Sequence, residues 1–145
     1  MKINLDCVRD VMLCVEANTC LHQRCYFIDY ALNSAQEFVG DLSPTPDYQA
    51  ELETKYHNEE LLYHLKYCIE SGLLSVDGPV GLYQTWVCDL TPKGHDFLAN
   101  IRSKNGWNKV KSLVSKAGSN CVDVVIEVAK AVAVEAAKNT LLSGG

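Results

Sequence analysis

The chain has 145 residues, 48% hydrophobic and 21% charged, with 13 basic and 18 acidic side chains and a net charge of −5. This is ordinary globular usage, which excludes a disordered chain and a fibrous repeat, and the length suits one domain with an appendage. The charge is uneven: Met1 to His57 carries 4 basic and 9 acidic residues, Asn58 to Leu90 carries 1 and 5, and Thr91 to Gly145 carries 8 and 4.

The opening MKINLDCVRDVMLCV sets Asp6, Arg9 and Asp10 inside its apolar stretch and offers no small-residue cleavage site, so no export signal is expected. Leu5, Val8, Val11, Met12 and Val15 repeat at helical spacing and predict a helix over Leu5 to Ala17. The run CYFI, Cys25 to Ile28, suits a short strand. Ala31 to His57 has weak periodicity and contains the break Ser43-Pro44-Thr45-Pro46. Seven cysteines at 7, 14, 20, 25, 68, 88 and 121 form no tight framework, so reduced thiols and a cytoplasmic setting are expected. Cys20, His22 and Cys25 lack the paired Cys-x-x-Cys spacing of a zinc site, and idle thiols are the expectation there.

Asn58 suits a helix cap, and Glu59 and Glu60 follow in the first turn, where the helix dipole favours negative charge. Leu61, Leu62, Leu65, Cys68 and Ile69 then share one side, and Gly72 ends the helix. Glu60, Tyr63, His64 and Tyr67 lie on the other side. Leu73 to Val76 and Leu82 to Leu90 predict a hairpin around Asp77-Gly78-Pro79-Val80-Gly81. Thr91-Pro92 starts a helix to about Arg102, and Gly94 in its first turn costs about 1 kcal/mol relative to alanine unless a backbone approaches closely. Helices are expected over Trp107 to Ala117, ended by Gly118, and over Asn120 to Leu142. The longest apolar segment, Cys121 to Leu142, holds Asp123, Glu127, Lys130, Glu135 and Lys138, too many charges for a membrane span.

LYHLKYCIESGLLS, Leu62 to Ser75, followed by DLTPKGHDFLANI, Asp89 to Ile101, in the order helix, helix, hairpin, helix, resembles winged-helix proteins. The resemblance implies an α+β, mainly helical fold, with a winged-helix-like domain over 1–102 and a C-terminal helical extension over 103–145. NLDCVRDVMLCVE, Tyr63-His64 and GHDFLANIRSKNGWNKVK also resemble an uncharacterised family, a domain of unknown function, of Gram-positive bacteria and their phages. That likeness implies a mobile-element setting and no activity.

No phosphate-binding glycine loop, nucleophile elbow or His-Glu-x-x-His motif is present, so no enzyme and no cofactor are expected. Glu60, His64 and Cys68 recur every four residues, but Glu60 points away from Cys68 and no metal site is expected. His95 and Trp107 are expected in structural roles, at a helix start and between helices. Tyr63, His64 and Tyr67 either pack beneath the extra helices or form, with Glu60, a partner-binding surface. Arg102, Lys104, Lys109 and Lys111 are the candidate patch for nucleic acid or an acidic partner. The last helix offers Val125, Ile126, Ala129, Val132, Ala133 and Ala136 for self-association as a homodimer, or for folding back onto Trp107 and Val110. The expected function is a non-catalytic module that binds a protein, with a DNA-binding regulator as the alternative. The Asn58 to Gly72 helix sets Glu59, Glu60 and Glu70 against Lys66 alone, which is unfavourable next to phosphates.

Overall fold

The computed structural model describes residues 1–34, 44–78 and 84–143, mainly helical with one small antiparallel sheet. The elements are α1 (Leu5–Asn18), β1 (Cys25–Ile28), α2 (Tyr30–Ser34), α3 (Asp47–Leu52), α4 (Asn58–Glu70), β2 (Leu74–Val76), β3 (Gln84–Leu90), α5 (Pro92–Ile101), α6 (Lys104–Ala117) and α7 (Val122–Ser143). They form two compact units, Met1–Gly94 and His95–Gly145, divided inside α5. Pro79, Val80 and Gly81 of the expected turn and the expected strand start at Leu82 lie outside the described residues, as does Ser43 of the proline break.

In the first unit, α1 starts where Asn4 Oδ1 accepts from the backbone N–H groups of Asp6 and Cys7, satisfying two of the amides a helix start leaves unpaired. Its periodic residues Cys7, Val8, Val11, Met12 and Val15 are all buried, and the helix packs on α3, α4 and β3. The sheet has the order β1-β3-β2, with Cys25 opposite Val87, Phe27 opposite Thr85 and Leu74 opposite Leu90. Phe27, Met12, Leu61 and Leu65 are among the largest fully buried side chains. Burial of each contributes roughly 2 kcal/mol.

The expected hairpin is present as the antiparallel pair β2–β3, with a register irregularity between Ser75 and Val76. What lay beyond the local pattern is that β1 pairs with β3 and extends the hairpin to three strands. Asn58 is a correction: the residue at the cap of α4 is His57, without a side-chain cap bond. The Asn58 amide is engaged elsewhere, donating to Ile28 O at 2.9 Å and accepting from Tyr30 N–H at 3.0 Å. Tertiary bonds to β1 and α2 have taken the side chain that a local cap would have used.

α4 ends as its glycine implies. Gly72 has φ 75°, and Leu73 N–H returns to Cys68 O at 2.9 Å. Thr91 caps α5 by accepting from Gly94 N–H at 3.0 Å, and its own N–H donates to Leu73 O at 3.0 Å. Gly94 is buried directly over that carbonyl: a Cβ there would collide with Leu73 O and reach 3.0 Å from its carbon. This is the close backbone approach that a glycine in a first helical turn suggested.

In the second unit, Ser103 Oγ accepts from Gly106 N–H at 3.0 Å and starts α6 three residues before Trp107, and Gly118, at φ 72°, ends it. The start of α6 (Ser103, Gly106, Lys109) lies beside the second half of α7 (Val132, Glu135, Ala136), so the two helices run antiparallel. Trp107, Val110 and Val114 of α6 are buried, and so are Val125, Ile126, Ala129 and Val132 of α7. This corrects the expectation of self-association through that stripe. The chain covers it with its own α6, leaving Ala133 half-buried and Ala136 exposed. Among the described residues, no helix is long and apolar enough to cross a membrane.

Candidate functional site

α4 presents to solvent a narrow arc of Glu59, Tyr63, Lys66 and Glu70, flanked by the half-buried Glu60 and Tyr67. Lys66 pairs with Glu70 at 3.8 Å. His64 does not belong to this surface, and its assignment there is corrected: it is fully buried. Its Nδ1 lies 2.7 Å from the Glu60 carbonyl, which can only accept, so Nδ1 carries the proton. Nε2 is then the acceptor for Asn4 N–H, also at 2.7 Å. The apolar sequence on α4 points its buried face toward Leu62 and Ile69; the α1 start draws that face round to His64 instead. His64→Phe, which fills the site with a somewhat larger ring but removes the acceptor at the α1 cap, is expected to cost about 1–3 kcal/mol in urea unfolding. An unchanged midpoint would show that water replaces the imidazole.

The opposite side of the sheet carries a cluster that sequence reasoning missed. Tyr26 and Trp86 are register partners whose rings lie 4.9 Å apart between centroids, tilted by 44°, and the Arg24 guanidinium lies 5.2 Å from the Trp86 ring centre. Arg24 also forms an ion pair with Asp77. Trp86 is 36% exposed, although Thr85 and Val87 on either side of it are buried. The signal was available in the alternation of TWV within a predicted strand, which sends the tryptophan to the face opposite the core.

The outer edge of β1 is closed by side chains. Gln49, fully buried, accepts from Ile28 N–H at 2.8 Å and donates to Ile28 O at 2.8 Å. The Tyr48 hydroxyl does the same for Tyr26, accepting from its N–H at 2.8 Å and donating to its carbonyl at 2.6 Å. Two residues of α3 thus stand in for a neighbouring strand and remove an edge open to pairing.

A groove of about 350 Å³ between α1 and α3 is lined by Asp10, Leu13, Cys14, Tyr48, Glu51 and Lys55, among others. Asp10 there accepts from Tyr56 Oη at 2.7 Å and pairs with Lys55 at 3.5 Å. Burial pushes the thiols of Cys7, Cys14 and Cys25 up to about 12, so they stay protonated and poorly nucleophilic at neutral pH. Cys68, wholly buried, is raised further by the same cause. Cys20 is exposed while Cys25 faces the core, so the two do not converge with His22. Among the described residues, no group of three or more His, Cys, Asp or Glu side chains is arranged to hold a metal.

The basic residues do not form one patch. Lys104 and Lys111 lie two turns apart on one side of α6, and Lys109 lies about 140° around it, where it pairs with Glu135 at 3.5 Å. Lys111 is half-buried, with its ammonium 5.9 Å from the Trp107 ring centre, and Arg102 is exposed ahead of the helix. Met1–Gly94 holds 6 basic and 14 acidic residues, net −8, against 7 and 4, net +3, in His95–Gly145.

Comparison with curated proteins and with solved structures finds no match. A family model does match, over residues 2–120, which takes in α1 through α6 and leaves out α7. The chain belongs to the family described as Hypothetical protein (DUF2513).

Proposed function

We propose that this chain is a non-catalytic protein-binding module whose first unit is folded in the winged-helix manner, serving as a regulatory protein of a phage or mobile element. The order α1, β1, α3, α4, β2, β3, with β1 laid beside β3, supports the winged-helix reading. α4 then occupies the place of the recognition helix, and the β2–β3 hairpin that of the wing. The observation that carries the protein-binding reading is the Arg24, Trp86 and Tyr26 cluster on the outer sheet face. Arginine and large aromatic residues are the side chains that concentrate binding energy at protein interfaces. Tyr63, 41% exposed on α4, adds a second aromatic contact.

Duplex DNA fits this unit poorly. The α4 arc has one cation, already paired with Glu70, and the unit carries −8. A DNA-binding regulator is the second reading, favoured by the +3 of the second unit. It would rest on Arg102, Lys104, Lys109 and Lys111.

Capture from host lysate by the full chain, with and without nuclease treatment, separates the readings. The expected result is a stoichiometric protein whose affinity falls by about tenfold or more with Trp86→Ala, as for a residue at the centre of an interface. Trp86→Ala should leave the fold intact, because the ring lies outside the core. Recovery of DNA without a protein, or a low-salt mobility shift abolished by Tyr63→Ala or by neutralising the four basic residues, would replace this reading with the second.

A further inference from the structure

α7 has a second face that α6 does not reach. At 100° per residue, Glu127, Ala131, Val134 and Lys138 lie opposite the buried stripe, flanked by Lys130 and Glu135. All six are exposed, Val134 at 53%, and they line a shallow furrow along the helix. Beyond them Leu141 is 76% exposed. A helix face with this much exposed apolar surface calls for a covering partner.

The order of the charges identifies the partner. Read forwards, the face runs Glu127, Lys130, Ala131, Val134, Glu135, Lys138. Read backwards, every acid meets a base. Turning a second copy by 180° about an axis between residues 132 and 133 sets Ala131 against Val134 and Glu127 against Lys138 along the seam, each pair occurring twice, with Lys130 and Glu135 on opposite flanks of it. The contact from Glu127 to Lys138 is about 17 Å long, and the small Ala131 near its centre permits close approach of the helices. Parallel pairing in register would instead oppose Glu127 to Glu127 and Lys138 to Lys138.

We infer that two copies of this chain associate through the outer faces of α7, antiparallel and centred between residues 132 and 133. Within one chain, Lys130 pairs with Glu127 at 3.4 Å and Glu135 with Lys109 at 3.5 Å. These exposed pairs contribute little and can be shared or exchanged on association. The face belongs to a helix outside the matched segment 2–120.

Light scattering and sedimentation of the full chain across concentration test this. The expected result is a dimer that Glu127→Lys and Lys138→Glu each weaken by about tenfold, since each creates two like-charge contacts per dimer. Mixing the two variants should restore a heterodimer of near-original affinity, because both altered positions then face opposite charges. Both sites are exposed, and unchanged circular dichroism would verify that folding is intact. A chain that is monomeric up to roughly 100 µM, a dimer indifferent to both substitutions, or variants that stay monomeric on mixing would overturn the inference. Binding to anionic vesicles by a monomeric chain would overturn it equally.

Discussion

Gly94→Ala is expected to destabilise the first unit by about 3 kcal/mol or more, a large part of the stability of a small domain. Two effects oppose each other. Alanine is favoured over glycine inside a helix by about 1 kcal/mol, but its Cβ would be driven into the Leu73 carbonyl oxygen. That oxygen is backbone, held by Thr91 N–H at 3.0 Å, and lies at the corner where α4 passes into β2. It cannot swing aside as a side chain can, so the steric term wins. Gly118→Ala is the control: its φ is 72°, yet a Cβ there meets nothing within 4 Å, and a cost of about 1 kcal/mol is expected from left-handed backbone strain alone. Urea unfolding of the two variants checks the difference. If Gly94→Ala were no worse than Gly118→Ala, α5 would have to slide off the Leu73 carbonyl at little cost.

The second large effect is expected at Gln49. Gln49→Leu keeps the bulk of a fully buried side chain but removes both hydrogen bonds to Ile28. The Ile28 carbonyl keeps the Asn58 amide at 2.9 Å, whereas its N–H loses the acceptor shown here. An unmet donor together with a lost pair of bonds predicts a cost of about 2–4 kcal/mol. Gln49→Glu should be worse near neutral pH, because it brings an ionised carboxylate into the core and opposes it to the Ile28 carbonyl. Both variants also open the outer edge of β1, so concentration-dependent aggregation should accompany the loss of stability. Equal unfolding midpoints for Gln49→Leu and the original chain would show that α3 is not what closes that edge.

The segment holding Gln49 had weak periodicity, and its role is invisible to local pattern. α3 is six residues long, and its contribution is two side chains aimed at a strand 21 residues earlier in the chain. The α4 surface was half legible. Of the expected Glu60, Tyr63, His64 and Tyr67, Tyr63 is exposed and Glu60 and Tyr67 are half-buried, but His64 was misplaced because the group it serves, the amide of Asn4, is 60 residues away in sequence. The α7 stripe was legible as an apolar face, while the identity of its cover was not. Valines and alanines at that spacing suit a second copy or the chain's own α6 equally well, and only the fold brings Trp107, Val110 and Val114 into a buried set with them.

What the sequence determined by itself is what depends on near neighbours: the helix starts at Leu5 and Thr91, the stops at Gly72 and Gly118, the hairpin, and the uneven charge. Each rests on backbone groups within about one helical turn, where residue type alone decides which hydrogen bonds can form. Tertiary structure decided where polar side chains with several available partners were used. Asn58 left the cap position for Ile28 and Tyr30, His64 turned inward to Asn4, Gln49 closed β1, and Trp86 was left on the outer face beside Arg24. A buried donor or acceptor must find its partner wherever the chain brings one, so these choices were settled by packing across the sequence rather than along it.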